Sequence, residues 1–484
     1  MTIADFTPQT TLAILPEILL FLLAGLLLGL DMLWRPSRRV ALGWVAAAGV
    51  LAILVATLLF SRPSEAEPLI LGGMLRHDWL AFAFTMLILF SAMVSCLLSI
   101  NVSGVADRGE YYALLLVTTM GMTLMASSAD LIMLYLSIET TSIPLYILAG
   151  FLKGDDKSTE SGLKYFLFGA LTSTVMLYGF SLLYGFTGET NLYFLAEAIR
   201  SAQVSPAVLG AVAVLVLVGF GFKVAAVPFH FWTPDVYEGA PTPITAYIST
   251  ASKAAGFAVL VRVMVLAFPG IEGFWAAVLA AMSAATMTLG NVLAITQRNI
   301  KRLLAYSSIA HAGYALIGLV ALSGFGAASL MFYLLAYVVT NLAAFAVVIL
   351  FARSAGSEQI ADYAGLSRRS PWLALALLVA FLSLAGMPPL AGFVAKVFVF
   401  AAAVESGLIW LAFAGVLNAI VGLYYYLTVL KVVYLYRSED EDKPITVPRP
   451  YAVALATCIA AILLVGILSA PWLEWTIAAA RSLF

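Results

Sequence analysis

The sequence predicts an all-α membrane protein with about fourteen transmembrane helices. Of the 484 residues, 63% are hydrophobic and 11% are charged, whereas about a quarter of the residues in soluble domains are charged. The mean hydropathy is +1.02. Apolar runs of about 20 residues recur along the chain and are joined by short polar loops.

Each apolar run is long enough to cross a bilayer as one helix. The first run lacks a basic segment before it and is too long for a signal-peptide core, so we expect it to be retained. The predicted helices span residues 12–34, 40–61, 79–100, 110–127, 130–152, 161–186, 207–232, 243–268, 273–296, 303–323, 326–353, 371–403, 408–436 and 451–473.

The loops are too short to fold as soluble domains, so residues 1–484 are expected to form a single polytopic membrane domain. Four parts are predicted within it: helices 1–3 in 1–109, helices 4–8 in 110–270, helices 9–13 in 271–437 and helix 14 in 438–484.

Composition also excludes several function classes. The net charge is −1 and no Lys/Arg-rich run is present, which argues against nucleic acid as a partner. Cys96 and Cys458 lie in apolar runs at opposite ends of the chain. They form no CxxC motif, and we expect both to be inert core residues.

Most of the basic residues lie in the loops on one side of the predicted membrane domain. Sixteen of the 25 follow odd-numbered helices, four follow even-numbered helices or the last helix, and five lie within helices. Positive charge marks the cytoplasmic side. The odd-numbered loops are therefore predicted to be cytoplasmic, and both termini are predicted to lie outside.

Two lysines lie in apolar stretches that proline and glycine interrupt. Lys223 is in LVLVGFGFKVAAVPFHFW (215–232) and Lys396 is in FLSLAGMPPLAGFVAKVFVF (381–400). A lysine at bilayer depth costs about 2.5 to 3.5 kcal/mol on insertion scales, and broken helices in the two halves of a chain indicate a transport site. The five-helix offset between them reverses the direction of the second helix, as two inverted repeats require.

Other charges are also predicted at membrane depth. Lys253 falls in mid-bilayer, and Glu139 is the only carboxylate predicted near the centre of a span. The nearest acidic candidate for Lys164 is Glu139. Arg262 is close enough to the end of its helix to reach the interface. Glu139 has two interpretations, a fixed ion pair between helices or a group that takes part in transport.

Lysine and histidine suit proton transport for a physical reason. A buried lysine releases its proton more readily than an exposed one, so it can load and unload near neutral pH. His230 lies seven residues after Lys223, on the same helix face if the break is small, and is expected to add relay capacity. His311 lies near the middle of its helix and is either a relay or an ordinary core residue.

The stretch GFKVAAVPFHFWTPDVYEGAPTPITAYISTASKAAGF (221–257) resembles the antiporter-like membrane subunits of respiratory complex I. This resemblance implies an antiporter-like fold with two inverted five-helix repeats, in which helices 7 and 12 are broken. It continues over LPEI (15–18), LSIETTSIPLYIL (136–148), QRNIKRLLAYSSIAHAGY (297–314), SLAGMPPLAGFVAK (383–396) and YYYL (424–427).

The resemblance also implies a function and a set of site residues. Proton translocation in NADH-quinone oxidoreductase would be driven by redox chemistry in other subunits, which would hold NADH, FMN, iron-sulfur clusters and quinone. No cofactor is expected in this chain, which has no GxGxxG motif and no cysteine set for a cluster. The implied proton axis is Glu139, Lys223, Lys253 and Lys396, assisted by Lys164, His230 and His311.

The expected location is the bacterial inner membrane, crossed many times, with both termini periplasmic. The expected partners are the other complex I membrane subunits and membrane lipids, with no nucleic acid. Two alternatives remain open: a subunit of a multi-subunit Na⁺/H⁺ antiporter, and a structural membrane anchor that would tolerate alanine at Lys253.

Overall fold

The computed structural model describes residues 8–64, 68–440, 442–481 and 483. These residues are almost entirely helical, with one short hairpin near the N-terminal end. The ends predicted to lie outside the membrane, Met1 and Phe484, are not among the described residues.

The N-terminal part holds five helices and the hairpin, in which Leu69 pairs with Arg76 in antiparallel register. Asp78 caps the third long helix by accepting a hydrogen bond from the backbone N–H of Ala81 at 2.8 Å. The elements are α1 (Pro8–Ala13), α2 (Leu15–Leu33), α3 (Pro36–Arg39), α4 (Leu42–Phe60), β1 (Leu69–Ile70), β2 (Leu75–Arg76) and α5 (Trp79–Ser99).

The next part contains the first broken helix, and α11 packs there between α8 and α15. A π-helical turn, Ile248–Ser252, interrupts its last membrane crossing. The helices are α6 (Gly109–Ser127), α7 (Leu131–Ala149), α8 (Asp156–Thr187), α9 (Leu192–Ser201), α10 (Pro206–Val224), α11 (Trp232–Gly239), α12 (Thr242–Tyr247) and α13 (Lys253–Ala267).

The remaining part contains the second broken helix and the C-terminal helices. A short 3₁₀ helix, Ile360–Tyr363, lies in its longest loop. The helices are α14 (Glu272–Ile295), α15 (Ile300–Val320), α16 (Gly324–Ala355), α17 (Leu366–Arg369), α18 (Pro371–Ala385), α19 (Ala391–Glu405), α20 (Ile409–Leu435), α21 (Arg449–Ile467) and α22 (Ser469–Ala480).

Twelve crossings among the described residues are long and apolar enough to span a membrane. Helix α6, of 19 residues, and the pair α18–α19 supply two further candidates. The chain is therefore a multi-pass membrane protein with an all-α fold, consistent with about fourteen crossings. The inverted repeats and the division into four parts stay predictions.

Both predicted breaks are present. Helix α10 ends at Val224, and the next residue, Ala225, has a left-handed φ of 60°. Helix α18 ends at Ala385, and Gly386 has a φ of +87°. A cis proline follows each of these residues within the break, at Pro228 and Pro389. Neither helix continues through its proline segment, because proline has no N–H to donate and its ring clashes with the preceding turn.

Three membrane crossings, formed by α15, by α16 and by α12 with α13, make up the centre of the molecule. In the most apolar windows of α15 and α16, 94% of the residues are buried, and the value for the crossing over α12 and α13 is 89%. Only 28% of the window in α2 is buried, so α2 lies at the periphery. A helix that is apolar all round and enclosed by protein is a core helix, and polar groups on these three crossings are shielded from lipid.

Candidate functional site

Lys223 lies in the last turn of α10, just before the first break, and is 7% exposed. Its Nζ donates a hydrogen bond to the Ser142 hydroxyl on α7. Ser142 donates in turn to the Ile138 carbonyl at 2.5 Å. The Gly256 backbone on α13 packs closely here: a Cβ added to Gly256 would lie 3.3 Å from the Lys223 Cβ. The ammonium is thus held against a hydroxyl at a tight helix crossing.

Glu139 lies one turn before Ser142 on α7 and is half-buried. Its Oε1 accepts a hydrogen bond from the Ser173 hydroxyl on α8. Among the described residues, Glu139 has no lysine or arginine within ion-pair distance, which is 4.0 Å between nitrogen and oxygen. Glu139 and Ser142, the partner of Lys223, therefore lie one turn apart on α7, and Glu139 and Lys223 have separate serine partners.

Lys253 is the first residue of α13 and follows the π-helical turn directly. It is 2% exposed, and its Nζ lies 2.5 Å from both the carbonyl and the hydroxyl oxygen of Ser308 on α15. The Ser308 hydroxyl also accepts from Tyr337 at 2.8 Å and lies 3.3 Å from the Tyr237 hydroxyl. The Tyr337 hydroxyl accepts from Asn341 at 3.1 Å. Lys253 thus enters a hydrogen-bonded group contributed by α11, α15 and α16.

His311 follows Ser308 by three residues on α15 and is buried. Its Nδ1 lies 2.6 Å from the Tyr333 hydroxyl and its Nε2 lies 3.2 Å from the Tyr426 hydroxyl. His311 and Ser383 both line a cavity of about 10 Å³ near the second break. That volume is close to the minimum that one water molecule needs. Both ring nitrogens have partners, so the ring has a fixed orientation between two tyrosines.

Lys396 lies in the second turn of α19, after the second break, and is 6% exposed. Its Nζ donates to the carbonyl oxygens of Leu384 at 2.9 Å and Ala385 at 2.8 Å. These are the last two residues of α18, and the C-terminal end of a helix carries partial negative charge. The ammonium also lies 5.0 Å from the centre of the Tyr314 ring. Lys396 is therefore held by backbone carbonyls.

His230 lies in the break between α10 and α11, so the small break on which a shared helix face with Lys223 depended is not present. The helix ends at Val224, and the left-handed residue after it turns the chain away. The histidine is 6% exposed, and its Nδ1 has no hydrogen-bond partner in the described part of the chain.

Lys164 does not contact Glu139, contrary to the sequence-based expectation. Its Nζ lies 2.6 Å from Asp235 on α11 and 2.7 Å from Glu160, one turn earlier on α8. Asp235 also binds Arg302 at 2.9 Å. Burial alone would raise the pKa of Asp235, but hydrogen bonds from Lys164 and Arg302 hold that pKa below its usual value. Lys164 thus belongs to a surface network.

The surface network continues across α8, α11 and α15. Arg302 also binds Glu238 at 3.0 Å, and Glu238 binds Lys157 at 3.1 Å. These side chains line an open cavity of about 170 Å³. We refer to Lys157, Glu160, Lys164, Asp235, Glu238 and Arg302 as the α11 ion-pair network.

Lys301, which the sequence placed in a loop before the predicted helix 303–323, is the second residue of α15. It is 3% exposed and lies 3.2 Å from Glu358.

Arg262 does not extend to an exposed position at the end of its helix but is enclosed by protein. It is 1% exposed and binds Asp78, which is fully buried, through two hydrogen bonds. Sequence reasoning placed Asp78 at the end of a loop, so no buried partner was expected for Arg262.

Sequence reasoning also missed the tyrosines that connect the charged groups. Tyr237, Tyr337, Tyr333 and Tyr426 are all buried. The sequence feature that could have identified these tyrosines is the presence of ring hydroxyl groups on helices that are otherwise apolar. Among the described residues, no group of three or more His, Cys, Asp or Glu side chains is arranged to bind a metal ion.

The centre of the molecule and the two breaks beside it hold three buried ammonium groups, and each contacts hydroxyl or carbonyl oxygens. These are the ammonium groups of Lys223, Lys253 and Lys396. Hydroxyl groups both donate and accept hydrogen bonds, so a chain of them can pass a proton between charged groups. Lys253, Ser308 and Tyr337 form one such connected group. Within the described part of the chain, no hydrogen bond joins Lys223 to Lys253 directly, and the helices that carry them, α10 and α13, pack against each other.

Residues 128–422 match the family described as "NADH:quinone oxidoreductase/Mrp antiporter, TM". The chain is 44% identical over 471 residues to NADH-quinone oxidoreductase subunit N of Moorella thermoacetica, an alignment that covers 97% of this chain and 98% of that protein.

Two solved structures are similar to this chain. One is a chain of respiratory complex I from Thermus thermophilus with bound aureothin, with a TM-score of 0.80, 34% identity and coverage of 96% of this chain and 100% of that chain. A chain of the Mrp complex from Dietzia sp. has a TM-score of 0.86 and 22% identity, with 99% and 98% covered. The second likeness is one of fold alone, and it identifies the fold as antiporter-like.

Proposed function

Because this chain belongs to the NADH-quinone oxidoreductase subunit N family, we propose that it is a proton-translocating membrane subunit of a respiratory NADH-quinone oxidoreductase. The supporting observation is the set of buried lysines, Lys223, Lys253 and Lys396, which contact neutral oxygens. Ionisable groups inside a membrane protein are costly and mark ion pathways. Groups without a fixed counter-charge are suited to gaining and losing protons.

The proton axis in this proposal runs through the centre of the molecule. Glu139 and Lys223 lie at the first break, and a change in their separation would change how strongly the lysine holds its proton. Lys253 can exchange a proton with the Ser308 hydroxyl, which also accepts from Tyr337. His311 lies one turn further along α15 and leads toward the second break, where Lys396 is held. Lys164 and His230 assist at the edge of the first break.

Electron transfer would take place in partner subunits. NADH, FMN, iron-sulfur clusters and quinone would be bound there, and a conformational or electrostatic change would reach this chain from its neighbours. The chain would lie in the bacterial inner membrane beside other membrane subunits and lipids. The distribution of basic residues supports periplasmic termini.

The experiment uses the assembled complex, isolated through a tag on this chain and reconstituted in vesicles. Lys253→Ala should lower NADH-driven pH-gradient formation per assembled complex by about tenfold or more, because proton-handling groups typically contribute 10² or more to rate. Lys153→Ala, at an exposed loop position, is the matched control and should pump normally. Full pumping by Lys253→Ala would identify the chain as a structural anchor.

The family description also includes Mrp antiporters, which favours Na⁺/H⁺ exchange as a second candidate. Everted vesicles that contain this chain and lack NADH-quinone oxidoreductase separate the two functions. Proton movement driven by an added Na⁺ gradient would support the antiporter. Co-purification of redox subunits together with NADH-driven pumping would support the first proposal.

A further inference from the structure

A fully buried ion pair lies at the predicted outer end of α13. Arg262 Nη1 lies 2.7 Å from Asp78 Oδ2, and Nη2 lies 2.9 Å from Asp78 Oδ1. The arginine and aspartate are 1% and 0% exposed. A two-point contact between a planar guanidinium and a carboxylate fixes orientation as well as distance. The pair therefore has one defined geometry.

Two further groups hold the guanidinium. Nη1 also donates to the Tyr193 hydroxyl on α9, and Nη2 donates to the Ala126 carbonyl at the end of α6, at 3.1 Å. The Arg76 guanidinium lies 4.2 Å from the centre of the Tyr193 ring. Arg262 thus joins α13 to the ends of α5, α6 and α9. We call Arg262, Asp78 and Tyr193 the outer clamp.

A band of buried hydroxyl groups extends along α5 and α6 from the outer clamp to beyond the level of Lys253. Beside Lys253, the Thr250 hydroxyl in the π-helical turn lies 2.7 Å from the Ser91 hydroxyl on α5. The Tyr247 hydroxyl lies 2.7 Å from the Thr119 hydroxyl on α6. Further hydroxyls on the same two helices are buried, at Thr85, Ser95, Thr118 and Thr123.

The hydroxyl band is not fully satisfied by protein groups. The Ser95 and Thr118 hydroxyls have no hydrogen-bond partner among the described residues. Buried polar groups normally have partners, and unpaired ones indicate sites that water can visit. A cavity of about 30 Å³ lies at the outer end of the band and is lined by Thr85, Ser127 and His77, among others. The outer part of the band, with Thr118, Thr123 and Thr85, thus offers polar groups between the level of Lys253 and the outside.

The outer clamp lies where a route through these groups would reach the surface. Asp78 caps α5, and Ala126 is next to the last residue of α6, so the two helices that carry the hydroxyls both end at Arg262. An arginine side chain does not lose its proton in a protein. The Arg262 charge is paired with Asp78, which also lies 3.6 Å from Arg76, and the four hydrogen bonds of Arg262 tie the ends of these helices together.

We propose that the outer clamp is a proton seal that closes the hydroxyl band between Lys253 and the predicted outer surface. The seal would prevent protons from returning to Lys253 from outside between turnovers. This inference rests on the proposed function, because a seal beside Lys253 matters only if that lysine handles protons. Arg262 is then a positioning and barrier residue, and it does not itself carry protons.

The test replaces the pair with neutral residues of similar shape, Arg262→Gln with Asp78→Asn. Both charges are removed because one buried charge left without its partner strongly destabilises a protein. The variant complex is reconstituted without NADH, and a pH gradient is imposed across the vesicles. We expect the gradient to collapse several-fold faster than in wild type, while NADH oxidation continues and fewer protons are pumped per NADH.

The matched control is the exposed ion pair on α9, Arg200 with Glu197, whose atoms are 2.8 Å apart. Arg200→Gln with Glu197→Gln removes the same two charges from the same side and should leave the vesicles tight. If the neutralised outer clamp assembles and leaks no faster than this control, the seal is refuted.

A second variant covers the case in which the neutralised pair fails to assemble. Arg262→Lys keeps the positive charge but cannot reach Asp78, Tyr193 and Ala126 together, so a smaller leak is expected. A tight Arg262→Lys complex would then refute the seal. Wild-type complex that oxidises NADH without building a gradient would instead refute the proposed function, which keeps the two failures distinct.

Discussion

The two broken helices hold their lysines on opposite sides of the break. Lys223 precedes the first break and contacts the Ser142 hydroxyl, whereas Lys396 follows the second break and contacts two backbone carbonyls. A hydroxyl can accept a proton and donate another, but a carbonyl only accepts a hydrogen bond. One residue type at two similar breaks thus has two different sets of partners. Both lysines belong to the proposed proton axis, but we expect them to differ in how well they tolerate arginine.

The largest expected effect comes from replacing each lysine with arginine. Lys223→Arg should lower pumping by about tenfold or more, because arginine keeps its charge but does not release a proton. Lys396→Arg should be milder, since the carbonyls at the end of α18 require only a positive charge and a cavity of about 290 Å³ beside Lys396 gives room. The measurement is NADH-driven pH-gradient formation per assembled complex. Equal losses in both variants would remove the distinction between the two breaks.

An intermediate effect is expected at the glycine that faces Lys396. A Cβ at Gly386 would lie 2.9 Å from Lys396 Cδ, and its φ of +87° is unfavourable for alanine. Gly386→Ala should therefore displace the ammonium and lower pumping about twofold to tenfold, in addition to a conformational cost of about 1 to 2 kcal/mol.

Gly407→Ala separates these two causes. Gly407 has a similar φ of +76° but nothing within 4 Å of its added Cβ. Both variants should lower the thermal stability of the complex by a similar amount, and only Gly386→Ala should lower pumping. Reduced pumping in both would assign the effect to backbone strain.

The smallest effect is expected in the α11 ion-pair network. Because Asp235 is partly exposed, with a 37% exposed side chain, Asp235→Asn should remove at most about 1 kcal/mol per ion pair. The resulting change in pumping should shrink as salt concentration rises. The measurement compares pumping and thermal stability of the wild-type and Asp235→Asn complexes at low and at high salt. A large loss of pumping that does not depend on salt would place Asp235 on the proton route.

The pH dependence of Asp235 follows from the lowered pKa of its carboxyl group. Its stabilising contribution is present above the unfolded value of about 3.9 and is lost as pH falls through the lower folded value. Between pH 6 and 8 the Asp235→Asn difference should therefore be constant. A difference that varies with pH in this range would contradict the assignment of Asp235 to a fixed ion pair.

Sequence alone predicted the multi-pass helical fold and both breaks because these depend on local composition. Helix α10 ends at the left-handed Ala225, three residues before Pro228, and α18 ends at Gly386, just before Pro388 and Pro389. The amphipathic helix α9, Leu192–Ser201, was missed because it is too short and too polar to resemble a membrane crossing. The π-helical turn was also missed, since no residue type in ISTAS requires it.

The partners of the charged residues could not be predicted in the same way. Lys164 has a carboxylate on α11 as its partner, and α11 approaches α8 only because the first break redirects the chain. Arg262 seemed close to the interface by helix depth, but the cap of α5 places Asp78 against it, 184 residues earlier. Depth along a helix is a local property, whereas the choice of partner depends on how helices pack.

The π-helical turn before Lys253 rotates all the side chains that follow it around the helix axis of the same membrane crossing. One extra residue in a turn advances the following side chains by about 100° around the helix axis. Tyr247 before the turn faces Thr119 on α6, and Lys253 after it faces Ser308 on α15. Shortening the turn by one residue would keep the crossing helical but rotate Lys253 away from α15. The direction in which this lysine points is therefore set by the length of the ISTAS segment as much as by the lysine itself.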